Sequence, residues 1–181
     1  QWTRTASLCS PLTPTVRRSF PHMSLLDYLI DQGGLDWSVL LRPWHWVLPS
    51  EFTLWLVNRF GDPFIVPADG AVYVLRTDSG LLERLADSRE HFATLLDTAE
   101  TANDWLLIPL VDELVATGLR LGPGECYGFK QPPILGGDYV LSNVAVCSIR
   151  EQLSFLADLH YQIKDVPDGQ QVTVHLTDGN A

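Results

Sequence analysis

Between Pro63 and Ala86 the apolar residues stop recurring at helical spacing and begin to alternate. That change limits the fold more than any other stretch of the chain. Phe64-Ile65-Val66 leads to Ala68-Asp69-Gly70, and Ala71-Val72-Tyr73-Val74-Leu75 follows. Asp-Gly between two apolar runs predicts a hairpin, because glycine adopts the positive φ that a tight turn requires. Thr77-Asp78-Ser79-Gly80 reads as a second turn and Leu81-Leu82-Glu83-Arg84-Leu85 as a third strand. Connections this short allow only antiparallel neighbours, so a three-stranded meander is expected.

Helices are expected on both sides of the meander. Ser24 to Gln32 places Leu25, Leu26, Leu29 and Ile30 on one side, with Ser24 as N-cap and Gly33-Gly34 as the stop. Trp37 to Val47, with three Trp and Pro43, reads as an aromatic-anchored connector. Leu48-Pro49-Ser50-Glu51 predicts a helix start, with Phe52, Trp55, Leu56 and Arg59/Phe60 on its buried face and Gly61 at its end. Asp87-Ser88-Arg89-Glu90 caps a helix to about Asp97, and a further helix is expected from Asn103-Asp104-Trp105 to Gly118. Val140 to Cys147 predicts a strand, Ile149 to Lys164 a helix, and Gln171 to Leu176 a terminal strand. Helices and strands that do not alternate strictly indicate an α+β fold, an antiparallel meander packed with several helices.

Glu125 to Tyr139 fits neither period, yet it carries Tyr127, Phe129, Ile134, Leu135 and Tyr139, two adjacent prolines and three glycines. A solvated linker would be polar, so this stretch is expected to be an ordered loop pinned onto the core.

Of 181 residues, 46% are apolar, enough for one buried domain or two small subdomains sharing a core. Acidic residues number 22 against 12 basic, a net charge of −10. Such a surface repels nucleic acid and anionic membrane and favours a basic protein partner. Every apolar run is interrupted by charge well short of the roughly 20 residues of a membrane span. Cys9, Cys126 and Cys147 are far apart in sequence and form no C-x-x-C, which argues against a disulfide framework or structural zinc and for a reducing cytoplasm. Gln1 to His22 lacks acids and periodicity, and Arg17-Arg18-Ser19-Phe20 is followed by acids rather than an export h-region. Met23, the sole methionine, directly precedes the first amphipathic segment, so residues 1–22 are expected to be a disordered extension or a non-native N-terminus.

No chemistry stands out. His22, His45, His91, His160 and His175 show no i, i+4 pairing and no H-E-x-x-H. Cys126 and Cys147 lack a local nucleophile signature, and Gly136-Gly137 lacks the spacing of a phosphate loop. Asp97, Glu100 and Asp104 gather near one helix junction, where capping explains them more simply than acid–base work. No metal, cofactor or catalytic residue is expected.

Leu48-Pro49-Ser50-Glu51-Phe52 followed by a glycine exit and a meander resembles the SMI/KNR-like immunity folds, and the first half resembles a GAD-like portion. The second half is more specific. Asn103-Asp104-Trp105, Gly128-Phe129-Lys130-x-Pro132-x-x-Leu135-Gly136-Gly137-x-Tyr139, Asn143, Ser154-Phe155-Leu156, Ile163-Lys164-Asp165 and Pro167-Asp168-Gly169 resemble the Tdi-type C-terminal domain of type VI secretion immunity proteins. The resemblance covers about residues 35–177. It implies a single α+β domain over 23–177, with a possible division into a GAD-like 23–100 and a Tdi-type 101–177.

The resemblance also implies a non-enzymatic cytoplasmic protein that binds and blocks a secreted toxic effector, commonly a nuclease. An acidic body suits the basic groove of a nuclease, with affinity expected from buried aromatic anchors. Asp69 at the hairpin tip, the junction of Asp97, Glu100 and Asp104, and Asp138 with Tyr139 are the candidate contacts. A generic scaffold or regulatory interaction module is the alternative. A small-molecule domain is a third reading, and it would need a polar-tipped cavity near Lys130.

Overall fold

The structure, a computed structural model, describes residues 24–167. The expected extension over 1–22 and the expected terminal strand over 171–176 lie outside the described residues.

Among the described residues, six strands and five α-helices occur in the order α1 (Trp37–Leu40), β1 (Phe52–Val57), β2 (Pro63–Pro67), β3 (Val72–Arg76), β4 (Leu81–Ala86), α2 (Arg89–Leu96), α3 (Ala99–Leu106), α4 (Ile108–Ala116), β5 (Glu125–Phe129), β6 (Val144–Ser148) and α5 (Ile149–Ile163). The meander is present and is one strand larger than expected. A four-stranded antiparallel sheet runs β1-β2-β3-β4, and β5-β6 forms a separate antiparallel pair. The fold class is α+β.

The sheet separates two cores, because alternate side chains of its central strands point to opposite faces. Phe64, Val72 and Val74 face a core built with Phe92, Trp105, Leu106, Val111 and Leu114 of α2, α3 and α4. Ile65 and Leu75 face a second core with Leu40, Trp44, Ile149, Leu153 and Leu156. Both cores draw residues from both halves of the chain. Trp44 is fully buried and donates its indole N–H to the Leu153 carbonyl at 3.0 Å, which satisfies the polar atom of that anchor.

Several local expectations are corrected. The predicted helix from Leu48 is strand β1. A bulge between Leu54 and Leu56 shifts the register and leaves the neighbours Trp55 and Leu56 on one side, which breaks the strand alternation in the sequence. Phe52 and Leu54 pack against the second core, Trp55 and Leu56 against the first, so the strand is apolar on both sides. The segment at Ser24 is a one-turn 3-10 helix, Leu25–Tyr28, with Leu26 exposed and Tyr28 as its buried anchor. Tyr28 donates its hydroxyl to Asp112 at 2.8 Å, tying this segment to α4. The helix expected to start at Asn103 begins at Ala99 and breaks after Leu106, where Leu107 adopts a left-handed φ of 52°. Pro109 cannot donate its missing N–H to the preceding turn, so it cannot lie deep inside one continuous helix and instead opens α4.

The start of the Glu125–Tyr139 stretch is also corrected, since Glu125–Phe129 is a strand. Tyr127 and Phe129 face the first core while Cys126 faces the second, so burial on both sides conceals the alternation. Lys130 to Asn143 remains irregular apart from the short 3-10 turns Pro133–Leu135 and Leu141–Asn143. The helix caps at Ser88 and Ser148 are placed as expected, and Ser88 Oγ accepts from the His91 N–H at 3.1 Å.

Candidate functional site

The turn joining β3 to β4 is held from both sides. Thr77, almost fully buried, donates its backbone N–H and its hydroxyl to Asp62 Oδ1 at 2.8 and 2.6 Å. Asp62 Oδ2 accepts from Asn58 Nδ2 at 2.9 Å. On the far side, His160 Nε2 lies 3.0 Å from the Thr77 carbonyl. A carbonyl only accepts, so Nε2 carries the proton. Gly80 closes the turn with φ of 72°, and a Cβ there would come within 2.7 Å of the His160 ring. The turn is therefore pressed onto α5, a contact only glycine permits.

Charge is organised around this anchor. Arg76 Nη2 pairs with Asp104 Oδ2 at 2.7 Å, Nη1 donates to the Asp104 carbonyl at 3.2 Å, and Nε pairs with Glu83 at 3.2 Å. Burial opposes the Arg76 charge, but Asp62, Asp104 and these bonds outweigh it and raise its pKa. Burial pushes the Asp62 carboxyl up, and the neighbouring Asp78 charge adds to the shift, against three hydrogen bonds that favour the anion. Asp78 accepts from the Tyr139 hydroxyl. Burial, then Asp78, push the Tyr139 phenol up, so it stays a neutral donor.

The loop that delivers Tyr139 is built on Asn143. Its Nδ2 donates to the carbonyls of Gln131 and Asp138 at 3.0 and 2.9 Å, and its Oδ1 accepts from the Gln131 N–H at 3.0 Å. Lys130 Nζ is spent on the Ser142 carbonyl at 2.8 Å rather than on a pocket. Phe129 meets the Tyr139 ring edge-on at 4.9 Å, which fixes the ring while leaving it 47% exposed. Ile134, Leu135, Val140 and Leu141 are exposed around it.

Six residues were expected to mark a contact face, and the fold divides them. Asp104 and Tyr139, with adjacent Asp138, belong to the pole around the Thr77–Gly80 turn through Arg76 and Asp78. Asp69 lies at the opposite end of β3, where it accepts from the Ala71 N–H at 3.1 Å and supports its own turn. Asp97 is the C-cap of α2, and Glu100 stands in the first turn of α3, four residues before Asp104 and so on the same helical face. Asp62, Arg76, Thr77, Asp78 and His160 are the residues of this pole that sequence reasoning missed. Thr77-Asp78-Ser79-Gly80 signalled only a turn, and nothing local marks Asp62 as its buried partner. Among the described residues, no group of three or more His, Cys, Asp and Glu is placed to hold a metal. None of the described helices is long and apolar enough to cross a membrane.

Burial holds the His160 pKa below its ordinary value. The unfolded chain then takes up a proton below about pH 6.5 that the folded chain resists, so stability falls as pH falls through that range. Asp62 acts oppositely, since its raised folded pKa relieves a cost on acidification. We expect thermal melts of the wild type to lose more between pH 7.5 and 5.5 than those of His160→Gln, whose amide still donates to Thr77. Equal losses in both proteins would remove His160 as the source.

Residues 86–160, from the end of β4 into α5, match the family described as T6SS immunity protein Tdi1, C-terminal. No curated protein matches the chain. The matched segment carries α2 to α4, the β5-β6 pair and the Asn143-built loop, and it contributes Asp104, Asp138, Tyr139 and His160 to the pole. Over residues 86–160, less than half of its length, the chain is similar to the C-terminal part of a type VI secretion immunity protein family.

Proposed function

We propose that this chain neutralises a cognate effector, a nuclease acting in the cytoplasm, by covering its basic active-site surface with the pole around Thr77–Gly80. The supporting observation is the coincidence of the matched segment with an acidic, aromatic-bearing face. Glu83 and Asp104 pair with Arg76 there, Asp78 accepts from Tyr139, Asp138 adjoins Tyr139 in the loop, and Tyr139 and Leu135 stand exposed. Charge of one sign steers a basic partner into contact, and an aromatic held by Phe129 can be buried at little entropic cost. On this reading residues 23–177 act as one unit, with Asp97 and Glu100 on the rim of the contact and Asp69, at the far end of β3, outside it.

The test co-expresses the chain with the effector encoded beside it. Wild type is expected to rescue growth and form a complex. Replacing Asp138 with Lys and Tyr139 with Ala together is expected to weaken binding by about 10- to 100-fold, with the melting midpoint little changed. Association should also slow several-fold as salt rises from about 50 to 500 mM. Undiminished affinity in the double variant would place the contact elsewhere. A salt-insensitive association rate would remove the steering argument.

A further inference from the structure

Cys126 and Cys147 are directly opposite each other in the β5-β6 pair, and their sulfurs are 3.7 Å apart. Both face the second core, where Cys126 is fully buried and Cys147 is partly open. Gly128, on the same face of β5, makes the room. A Cβ there would come within 2.7 Å of the Cys147 sulfur. Gln152 Oε1, in the first turn of α5, lies 3.7 Å from that sulfur and can accept from it.

Opposed residues of an antiparallel ladder have Cα atoms about 4.5–5.5 Å apart, inside the range a disulfide spans. Side-chain rotation has to close only about 1.7 Å to reach bonding distance. The two thiols are also differentiated. A hydrogen bond from Cys126 draws the Cys147 pKa below its ordinary value, against burial and the charges of Glu151 and Glu125. The same bond, with burial, pushes the Cys126 thiol up. The more ionised sulfur is therefore also the more accessible one, which is the combination that peroxide oxidation selects.

We propose that Cys126 and Cys147 form an oxidative modification site that takes a hydroperoxide and stores two electrons' worth of oxidation as a cross-strand disulfide. The Cys147 thiolate attacks one peroxide oxygen. The S–O bond forms as the O–O bond breaks, and the departing hydroxide takes a proton from solvent. The Cys126 sulfur then attacks the Cys147 sulfenic sulfur, the S–S bond forms, and hydroxide leaves with the Cys126 proton as water. Two thiols and one hydrogen peroxide give one disulfide and two waters. The strands are already paired, so the bond closes without rearranging the fold.

The test uses the full chain carrying Cys9→Ser, which removes the third thiol. The reduced protein is treated with hydrogen peroxide, alkylated with iodoacetamide and weighed intact before and after phosphine reduction. We expect a loss of about 2 Da, no alkylation, and a peptide joining Cys126 to Cys147 that phosphine separates. In a Cys126→Ser variant, Cys147 is expected to accumulate as a sulfenic acid trapped by dimedone. The proposal fails if both cysteines remain alkylatable after peroxide. It also fails if Cys147 gains about 32 Da as a sulfinic acid while Cys126 stays free.

Discussion

Replacing Asn58 with alanine is expected to lower the melting midpoint by on the order of 10 °C, the largest single-site loss among the described polar residues. Asn58 is fully buried between β1 and β2, and its side chain has four partners. Its Oδ1 accepts from the backbone N–H groups of Phe60 and Asp62 at 3.0 Å each. Its Nδ2 donates to Asp62 at 2.9 Å and to the Trp105 carbonyl, at the end of α3, at 3.1 Å. Alanine leaves those groups buried without partners, each at a cost of about 1–3 kcal/mol, less than additively because they share one site. The damage would also spread, since the Asp62 carboxylate that holds Thr77 loses one of its donors. Asn58→Asp should be no milder, because it sets a second carboxylate against Asp62. A loss below about 2 °C in both variants would show that water replaces the missing partners and that the network is not what holds the turn.

The second large effect is expected at Gly137. A Cβ built there would lie 1.9 Å from the Gln131 carbonyl oxygen and 2.9 Å from Asn143 Nδ2. The first of these is backbone, so no side-chain rotation relieves it, and the loop has to open for alanine to fit. Gly137→Ala is expected to break the Asn143 bonds to Gln131 and Asp138 and to release Tyr139 from Asp78. We expect a melting loss of about 5 °C or more. Trypsin should cut faster after Lys130, whose ammonium is otherwise held on the Ser142 carbonyl. A stable variant with unchanged proteolysis would mean that the loop has a second, equally good conformation. Its effector affinity should fall as far as that of the Asp138 and Tyr139 double variant, since both lose the same ordered ring.

These effects come from different parts of the chain, and they differ in how visible they were beforehand. The glycines and prolines of residues 128–139 marked an ordered loop from sequence, because such residues concentrate where the backbone is unusual. The sequence carried no sign of why Gly137 is required, since the obstacle is a carbonyl six residues earlier that only the folded loop brings near. Asn58 gave still less warning. A lone asparagine before Gly61 reads as a turn residue, and its partner at Trp105 lies 47 residues away.

By itself the sequence determined what short-range physics can settle. The turns at Ala68-Asp69-Gly70 and Thr77–Gly80 are too short for anything but antiparallel strands. Ser88 and the amphipathic run after it set α2. Tertiary structure alone decided three matters. It made β1 and β5 strands, because both their faces are covered and burial on two sides hides the alternation that would reveal them. It broke the helix at Leu107. It also gathered Asp62, Thr77 and His160 into one buried polar contact, across separations of 15 and 83 residues. A buried carboxylate and imidazole are tolerated only where donors and acceptors meet them, and those partners exist only once the sheet and α5 have packed.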